Sequence, residues 1–381
     1  MKKLLLLSLL MLAGCAGAAE NQPPPVTADL APGVERVLDL PPGPGNPRNS
    51  EGDFVWLRDG RLLFVYTRFT GGGGDDDNAL LVSRESRDKG RTWSTADKTV
   101  LENEGGQNVM SVSLLRLGEG PLALFYLRKN GDDDCQPILR LSTDEAETWG
   151  PPLCCTEATP GYYVVNNNRV VRLTGGRLVI PAACHALKGG RFIGRSTALC
   201  FLSDDAGKTW RRSATELKPP EGMASGFQEP GVVELRDGRL MMLIRTDAGC
   251  QYRSWSADGG NTWSPAEAAE DLPSPLSPAS VARIPATGNL LLVWNDHTGI
   301  APELKKVRTP ITAAVSKDEG KSWINRVNLA ADPDGWYCYT AITFVEDRVL
   351  LGLCMGDRRG NGLARTSVIS FPVALVDGAH D

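Results

Sequence analysis

The fold of this chain is decided by the stretch Ser256-Ala-Asp258-Gly-Gly260-Asn-Thr262-Trp263. The same pattern, Ser-x-Asp-x-Gly-x-Thr-Trp with small variations, occurs five times. The other copies, which together with this stretch we call the box motifs, occupy residues 86–93, 142–149, 203–210 and 316–323. The Asp carboxylate can accept hydrogen bonds from the turn's own backbone, the Gly permits positive φ, and the Trp packs beneath the turn. Each box motif is therefore typical of a stiff hairpin corner.

A second pattern alternates with the box motifs and consists of an apolar run, a short turn and another apolar run. Its copies occupy residues 57–65, 117–124, 173–180, 235–242, 284–292 and, more weakly, 345–351. These are hairpins by turn chemistry. Six hairpins at this spacing, each leading to another corner, predict an all-β fold, a six-bladed β-propeller of four-stranded antiparallel blades. The count of six disfavours seven blades, and the blade-length repeat disfavours a β-helix. We expect a strand at Val34 to Leu40 to complete the ring beside the C-terminal blade.

The first residues indicate export. Lys2 and Lys3 precede an apolar run of nine residues, Leu4 to Leu12, which is too short to span a bilayer and is typical of a signal peptide. The run leads into Cys15 through Ala-Gly, a pattern similar to a bacterial lipobox. We predict a signal peptide at 1–15 with Cys15 lipidated, a flexible tether at 16–33 and the propeller at 34–381. The alternative is ordinary signal cleavage with Cys15 incidental. The predicted location is the cell envelope, periplasmic or at the cell surface, with a lipid anchor in the membrane.

Composition narrows the function classes further. A net charge of −5 argues against a general nucleic-acid binder. The three histidines lie far apart without metal-ligand spacing, so the sequence predicts no metal and no cofactor. An exported location permits disulfides among the eight cysteines other than Cys15, but spacing alone assigns no pairs. We expect a monomer.

The box motifs, their spacing and the residues below resemble the bacterial exo-sialidases (neuraminidases), propellers with BNR or Asp-box repeats, over roughly residues 45–372. The resemblance implies an exo-acting, retaining glycoside hydrolase that removes terminal sialic acid from glycans. In that family three arginines hold the substrate carboxylate, because a planar guanidinium binds a carboxylate in bidentate geometry. The matching positions here are Arg48, Arg245 and Arg308.

The resemblance also implies a base and a nucleophile. Glu229, in residues 226–235, matches the family's catalytic glutamate, and Tyr339, in residues 335–342, matches its nucleophilic tyrosine. Tyr337 is the competing assignment. A phenol is neutral on approach, so it is not repelled by the sugar's carboxylate, and Glu229 can take its proton.

The general acid is expected in the acidic loop at residues 71–78. Counting back from the following strand favours Asp75, with Asp76 and Asp77 as alternatives. Carboxylates packed together are expected to raise at least one pKa, which suits an acid working near neutrality. Further substrate contacts are predicted from Asp76, Asn168, Arg169 and His185.

One departure from the family pattern leaves the exact sugar open. Sialidases usually carry Arg-Ile-Pro at the first arginine, whereas this chain has Arg48-Asn-Ser-Glu51. Glu51 beside an anion site is unexpected unless it contacts hydroxyls. Two alternatives therefore stay open: the same scaffold acting on another acidic sugar such as a uronate, and a non-catalytic glycan-binding propeller that keeps the box motifs only for folding. In each case the expected partner is an acidic glycan.

Overall fold

The computed structural model describes residues 29–156 and 159–378. The predicted signal peptide and Cys15 lie outside the described residues, as does His380. Within them the chain forms six antiparallel sheets in succession, with only a short 3₁₀ turn at Pro302–Leu304 and a one-turn helix, α1, at Ala374–Asp377. No helix in this part of the chain is long and apolar enough to cross a membrane.

The strands are numbered along the chain, beginning with β1 (Glu35–Leu40). The first blade contains β2 (Arg48–Trp56), β3 (Leu62–Phe69), β4 (Ala79–Ser86) and β5 (Lys98–Leu101). The second contains β6 (Asn108–Arg116), β7 (Leu122–Gly131), β8 (Asp134–Ser142) and β9 (Leu153–Cys154). The third contains β10 (Tyr163–Val164), β11 (Val171–Arg172), β12 (Leu178–Lys188), β13 (Arg191–Ser203) and β14 (Arg211–Arg212).

The second half repeats this arrangement. The fourth blade contains β15 (Gln228–Glu234), β16 (Leu240–Arg245), β17 (Cys250–Ser256) and β18 (Glu267–Pro273). The fifth contains β19 (Ser280–Arg283), β20 (Leu290–Trp294), β21 (Ile311–Ser316) and β22 (Ile324–Ala330). The sixth contains β23 (Gly335–Val345), β24 (Arg348–Asp357) and β25 (Thr366–Pro372), together with β1. In the third blade the inner strand is split into β10 and β11, which both pair with β12. The predicted six-bladed propeller is confirmed.

The ring closes through the N-terminal strand. β1 pairs antiparallel with β25, from Glu35 opposite Ser370 to Leu40 opposite Thr366, which confirms the expected closing strand. The described end of the predicted tether, residues 29–33, also contacts the fifth blade, where the Ala31 amide donates to the Leu329 carbonyl at 2.9 Å.

The box motifs form the corners that their sequence predicts. In the fourth blade the Ser256 hydroxyl donates to an Asp258 carboxylate oxygen at 2.9 Å and accepts from the Gly260 amide at 2.8 Å. The Thr262 amide donates to the same Asp258 oxygen at 2.9 Å, and the Trp263 indole N–H donates to the Gly260 carbonyl at 3.0 Å. The carboxylate thus satisfies the backbone of its own turn.

The hydrophobic core lies between the blades. One cluster joins Val65 of the first blade to Leu124 of the second, and another joins Phe64 of the first blade to Val368 of the sixth. The remaining large clusters likewise join neighbouring blades around the ring. Because apolar burial is the main favourable term in folding, each blade depends on both neighbours, and the polar inner strands are held in fixed positions.

Candidate active site

The inner strands of four blades are bulged at corresponding positions. β2, β6, β15 and β23 each shift register against the next strand. Within each shift one residue has a left-handed φ: Glu51 at 53°, Ser111 at 59°, Glu229 at 41° and Tyr339 at 59°. Bulges re-aim side chains, and left-handed backbone at bulky residues is concentrated at functional sites. All four side chains line the same pocket.

This pocket has a volume of about 360 Å³ and receives residues from all six blades. Its polar lining consists of Glu51, Asp75, Ser111, Lys129, Tyr162, Asn166, His185, Gln228, Glu229, Arg245, Arg308 and Tyr339. The sequence-predicted residues Asp75, Glu229, Arg245, Arg308 and Tyr339 are therefore brought together, although they span more than 260 positions of the chain.

Tyr339 and Glu229 form the centre of the site. The Tyr339 hydroxyl donates to Oε1 of Glu229 at 3.4 Å, and Nη1 of Arg245 lies 2.6 Å from Oε2 of the same carboxylate. Burial, and then the charge of Glu229, raise the pKa of Tyr339, while Arg308 and Arg245 act in the opposite direction. The phenol is therefore neutral, and its proton already points at a carboxylate.

Tyr337, the competing tyrosine, points elsewhere. Its side chain is buried in the cluster between the fifth and sixth blades, and its hydroxyl has no hydrogen-bond partner among the described residues. Consecutive side chains alternate along a strand, so residues 337 and 339 would share one face, but the bulge turns Tyr339 into the pocket.

The three predicted arginines converge on this site. Arg308 and Arg245 line the pocket, and Arg308 lies against the Tyr339 ring at 5.2 Å and the Trp336 ring at 5.3 Å. Arg48 lies directly behind the lining, with Nη1 2.5 Å from Asp75 and Nη2 3.6 Å from Glu51. Nη1 of Arg308 and Nε of Arg245 are buried donors without an acceptor among the described residues. Such donors suit an anionic ligand.

The acidic loop separates its three aspartates. Asp75 pairs with Arg48 and lines the pocket, Asp76 pairs with Lys129, and Asp77 accepts from the Gly74 amide at 2.8 Å. Burial would raise the pKa of Asp75, but the charge and hydrogen bond of Arg48 outweigh it and lower that pKa. This differs from the expected rise, because a cation contacts Asp75 more closely than its neighbouring carboxylates do.

Three of the four further predicted contacts, Asp76, Asn168 and Arg169, do not line this pocket. Asn168 donates to Asp53 at 2.7 Å, and Arg169 donates to the Ser280 hydroxyl at 3.1 Å, so both connect blades elsewhere in the ring. The break between β10 and β11 places Asn166 in the pocket instead, with its Nδ2 buried and unpartnered within the described chain. Three consecutive asparagines marked this segment, but not which one faces the ligand.

His185 does line the pocket, as predicted. Its Nδ1 lies 2.9 Å from the Ile193 carbonyl, and burial lowers its pKa, so the imidazole is neutral. Lys129 and Ser111 also line the pocket although no sequence motif marks them, and so does Gln228, which directly precedes Glu229 in the segment 226–235. Over residues 29–156 and 159–378 no group of His, Cys, Asp and Glu could hold a metal ion.

Comparison with known proteins gives one family match. A family model described as a BNR repeat-like domain matches residues 60–352. A sialidase of Micromonospora viridifaciens is 27% identical over 331 residues, which is 73% of this chain and 47% of the relative. A sialidase of Bacteroides fragilis (strain YCH46) is 24% identical over 333 residues, which is 78% of this chain and 58% of the relative. The chain thus spans about half the length of the curated relatives it matches.

Solved structures show the same fold. A protein of unknown function from Dyadobacter fermentans has a TM-score of 0.71 at 18% identity, over 90% of this chain and all of that one. The Hadza microbial sialidase Hz136 has a TM-score of 0.70 at 20% identity, over 87% of this chain and 67% of that one. The model of the BNR repeat-like domain covers most of the length of this chain. The chain therefore belongs to the BNR repeat-like domain family and is built as a propeller of the bacterial sialidase type.

Proposed function

We propose that this protein is an exo-acting glycoside hydrolase that removes terminal sialic acid from glycans with retention of configuration. The observation that carries the proposal is the hydrogen bond from Tyr339 to Glu229 inside a pocket that Arg245 and Arg308 line and that Arg48 approaches from behind through Asp75. The names of the two curated relatives support the substrate class.

In the proposed first step the Tyr339 oxygen attacks the anomeric carbon as Glu229 accepts the phenolic proton. A bond forms between the tyrosine oxygen and the sugar, and the bond to the leaving oxygen breaks. Arg245 stays paired with Glu229 and donates to the substrate carboxylate together with Arg308. A neutral phenol suits this substrate, because an anionic nucleophile would be repelled by the carboxylate beside the anomeric carbon.

Asp75 is the proposed general acid, and its pairing with Arg48 indicates how substrate binding would raise its pKa. A substrate carboxylate that binds Arg48 competes with Asp75 for the same guanidinium. Asp75 is then released from the guanidinium whose charge and hydrogen bond lower its pKa, so that pKa rises toward the range of an acid. Asp75 protonates the leaving oxygen. In the second step Asp75 takes a proton from the water that attacks the anomeric carbon, and Glu229 returns its proton to the Tyr339 oxygen as the tyrosyl–sugar bond breaks.

A second candidate function is hydrolysis of another acidic sugar, such as a uronate. Arg48, Arg245 and Arg308 together form what we call the carboxylate clamp. The observation in favour of the second function is the buried Glu51 within 3.6 Å of Arg48, which changes the charge beside this clamp. A panel of fluorogenic sialosides, glucuronides and neutral glycosides separates the two. Turnover of neutral glycosides alone would contradict the clamp.

The proposal is tested with Tyr339→Phe and its matched control, Tyr337→Phe. Loss of the nucleophilic oxygen is expected to lower kcat by about a thousandfold or more while the acidic sugar still binds. Tyr337→Phe removes a buried hydroxyl that has no partner in the described part of the chain, so its kcat is expected to stay close to wild type. Equal activity of Tyr339→Phe and wild type would refute a tyrosine nucleophile, and absence of turnover by the wild type on every glycoside would favour a binding protein.

A further inference from the structure

Glu51 is a carboxyl group built into the floor of the pocket. It is 5% exposed, and the bulge in β2 turns it inward at a φ of 53°. Its Oε2 accepts from the Ser111 hydroxyl at 2.8 Å, and its Oε1 lies 3.6 Å from Nη2 of Arg48. One oxygen is thus held by a neutral donor, and the other faces the guanidinium that the substrate carboxylate is proposed to bind.

Binding of an acidic sugar would bring a further negative charge close to Arg48. Arg48 already contacts two carboxyl groups, Glu51 and Asp75. Asp75 belongs to an exposed loop, and its side chain is 61% exposed, so it can move away. Glu51 is fixed in a bulged and buried strand. A substrate carboxylate and an ionised Glu51 would then share one cation at close range, which disfavours both negative charges.

The groups that face Glu51 do not remove this conflict. Arg48 is on its own strand, Asp75 is in the acidic loop, and Cys354 is on β24. Lys129 on β7 shares the pocket but pairs with Asp76. Burial raises the pKa of Glu51 to about 8, although Arg48 and the Ser111 hydroxyl oppose the rise. A neutral carboxyl group is therefore the dominant form around neutral pH.

We infer that Glu51 is a specificity-determining residue that carries a proton in the substrate complex and donates it, as a hydrogen bond from Oε1, to the carboxylate of an acidic sugar bound at Arg48. The inference rests on the proposed function, because it requires a carboxylate at Arg48. The selected substrate class is a sugar monoacid whose carboxylate can accept from both a guanidinium and a carboxylic acid. Above the pKa of Glu51, binding must take up one proton.

The test is titration calorimetry of N-acetylneuraminic acid and of glucuronic acid with wild type and Glu51→Gln, from about pH 6 to about pH 9.5. For the wild type we expect a constant Kd at low pH, weakening about tenfold per pH unit above the pKa of Glu51. Glu51→Gln keeps the shape and a donor but cannot ionise, so its Kd is expected to lose this added pH dependence. Glu234→Gln, on the inner strand β15 but outside this pocket, should keep the wild-type response.

The outcomes are distinct. A Glu51→Gln protein that keeps the wild-type weakening at high pH, or that loses binding at every pH, would overturn the inference while the clamp survives. A wild type that binds neither acid at about pH 6 would overturn the proposed function and the inference with it.

Urea denaturation gives a second measurement, the free energy of unfolding as a function of pH. Between about pH 4.5 and pH 8 the wild type should lose stability relative to Glu51→Gln, because the folded protein keeps a proton on Glu51 that the unfolded chain releases. Parallel stability curves would also overturn the inference.

Discussion

At the scale of single residues, Asp53 shows how a carboxylate can hold a propeller together. One oxygen accepts from the Phe54 amide and from Asn168, both at 2.7 Å, and the other accepts from the Leu114 amide at 2.7 Å. These donors belong to the first, third and second blades. Burial nevertheless raises the pKa of Asp53 to about 7, because three donors only partly replace the lost hydration. Asp53 therefore has a structural role, although it lies only two residues after Glu51 in the sequence.

Asp53→Asn is expected to lower the free energy of unfolding by about 2–4 kcal/mol. The substitution replaces one accepting carboxylate oxygen by an NH₂ group, and that NH₂ group would then face a hydrogen-bond donor. Urea denaturation measures the change. The control is Asp59→Asn in the same blade, whose half-exposed carboxylate accepts hydrogen bonds from the nearby Arg61, so this substitution should cost much less stability than Asp53→Asn. Equal effects of the two substitutions would show that Asp53 does not join the blades.

At the scale of elements, the box motifs require two successive residues in the left-handed region. In the third blade these are Ala206 at a φ of 60° and Gly207 at 88°. The box motif of the second blade departs from this pattern, because Ala146 occupies the usual glycine position at a φ of 67°. A left-handed alanine is strained by about 1 kcal/mol relative to glycine, so this corner is less stable than the other four.

Replacement of Ala146 by Gly is therefore expected to stabilise the protein by about 0.5–1 kcal/mol, which calorimetry would record as a rise in Tm of roughly 2 °C. The reverse change in the third blade, Gly207→Ala, should destabilise, since its new Cβ would lie 2.5 Å from Cδ2 of Leu139. A lower Tm for Ala146→Gly would mean that the lost methyl contact in the cluster between the first two blades outweighs the backbone strain.

At the scale of the whole molecule, one strand closes the ring. β1 covers the edge of β25, and Leu40 is buried against the first and sixth blades. The inner strands that carry the candidate site belong to the same closed ring, so opening it would disturb both stability and the pocket.

A chain that starts at Pro41 should have a free energy of unfolding about 3–6 kcal/mol lower than that of a chain that starts at Asp29. The shorter chain loses the hydrogen bonds between β1 and β25, at about 1 kcal/mol each, and the burial of Leu40. Thermal unfolding of the two chains side by side measures this difference. Coincident transitions would show that the ring does not depend on its N-terminal strand for closure.

Much of the architecture was predictable because its determinants are local. The turn chemistry of residues 57–65 and the box motif at 256–263 act over a few neighbouring positions, and their repetition gives the number of blades. The closing strand followed from the count, since the last blade lacked one strand. The split of the third blade's inner strand into β10 and β11 was not predictable, because it depends on contacts such as that of Asn167 with the Gly52 and Tyr339 carbonyls.

The repeat, the corners, the number of blades and, through resemblance, the types of residue in the site all follow from the amino-acid sequence. Which side chains meet depends on the folded ring: Tyr339 and not Tyr337 at Glu229, Asn166 and not Asn168 in the pocket, and Glu51 beside Arg48. These meetings escape a reading of the sequence because the pocket forms where bulged inner strands from distant parts of the chain converge. A bulge reverses the alternation of side chains along a strand, and the partners that stabilise it lie on other blades.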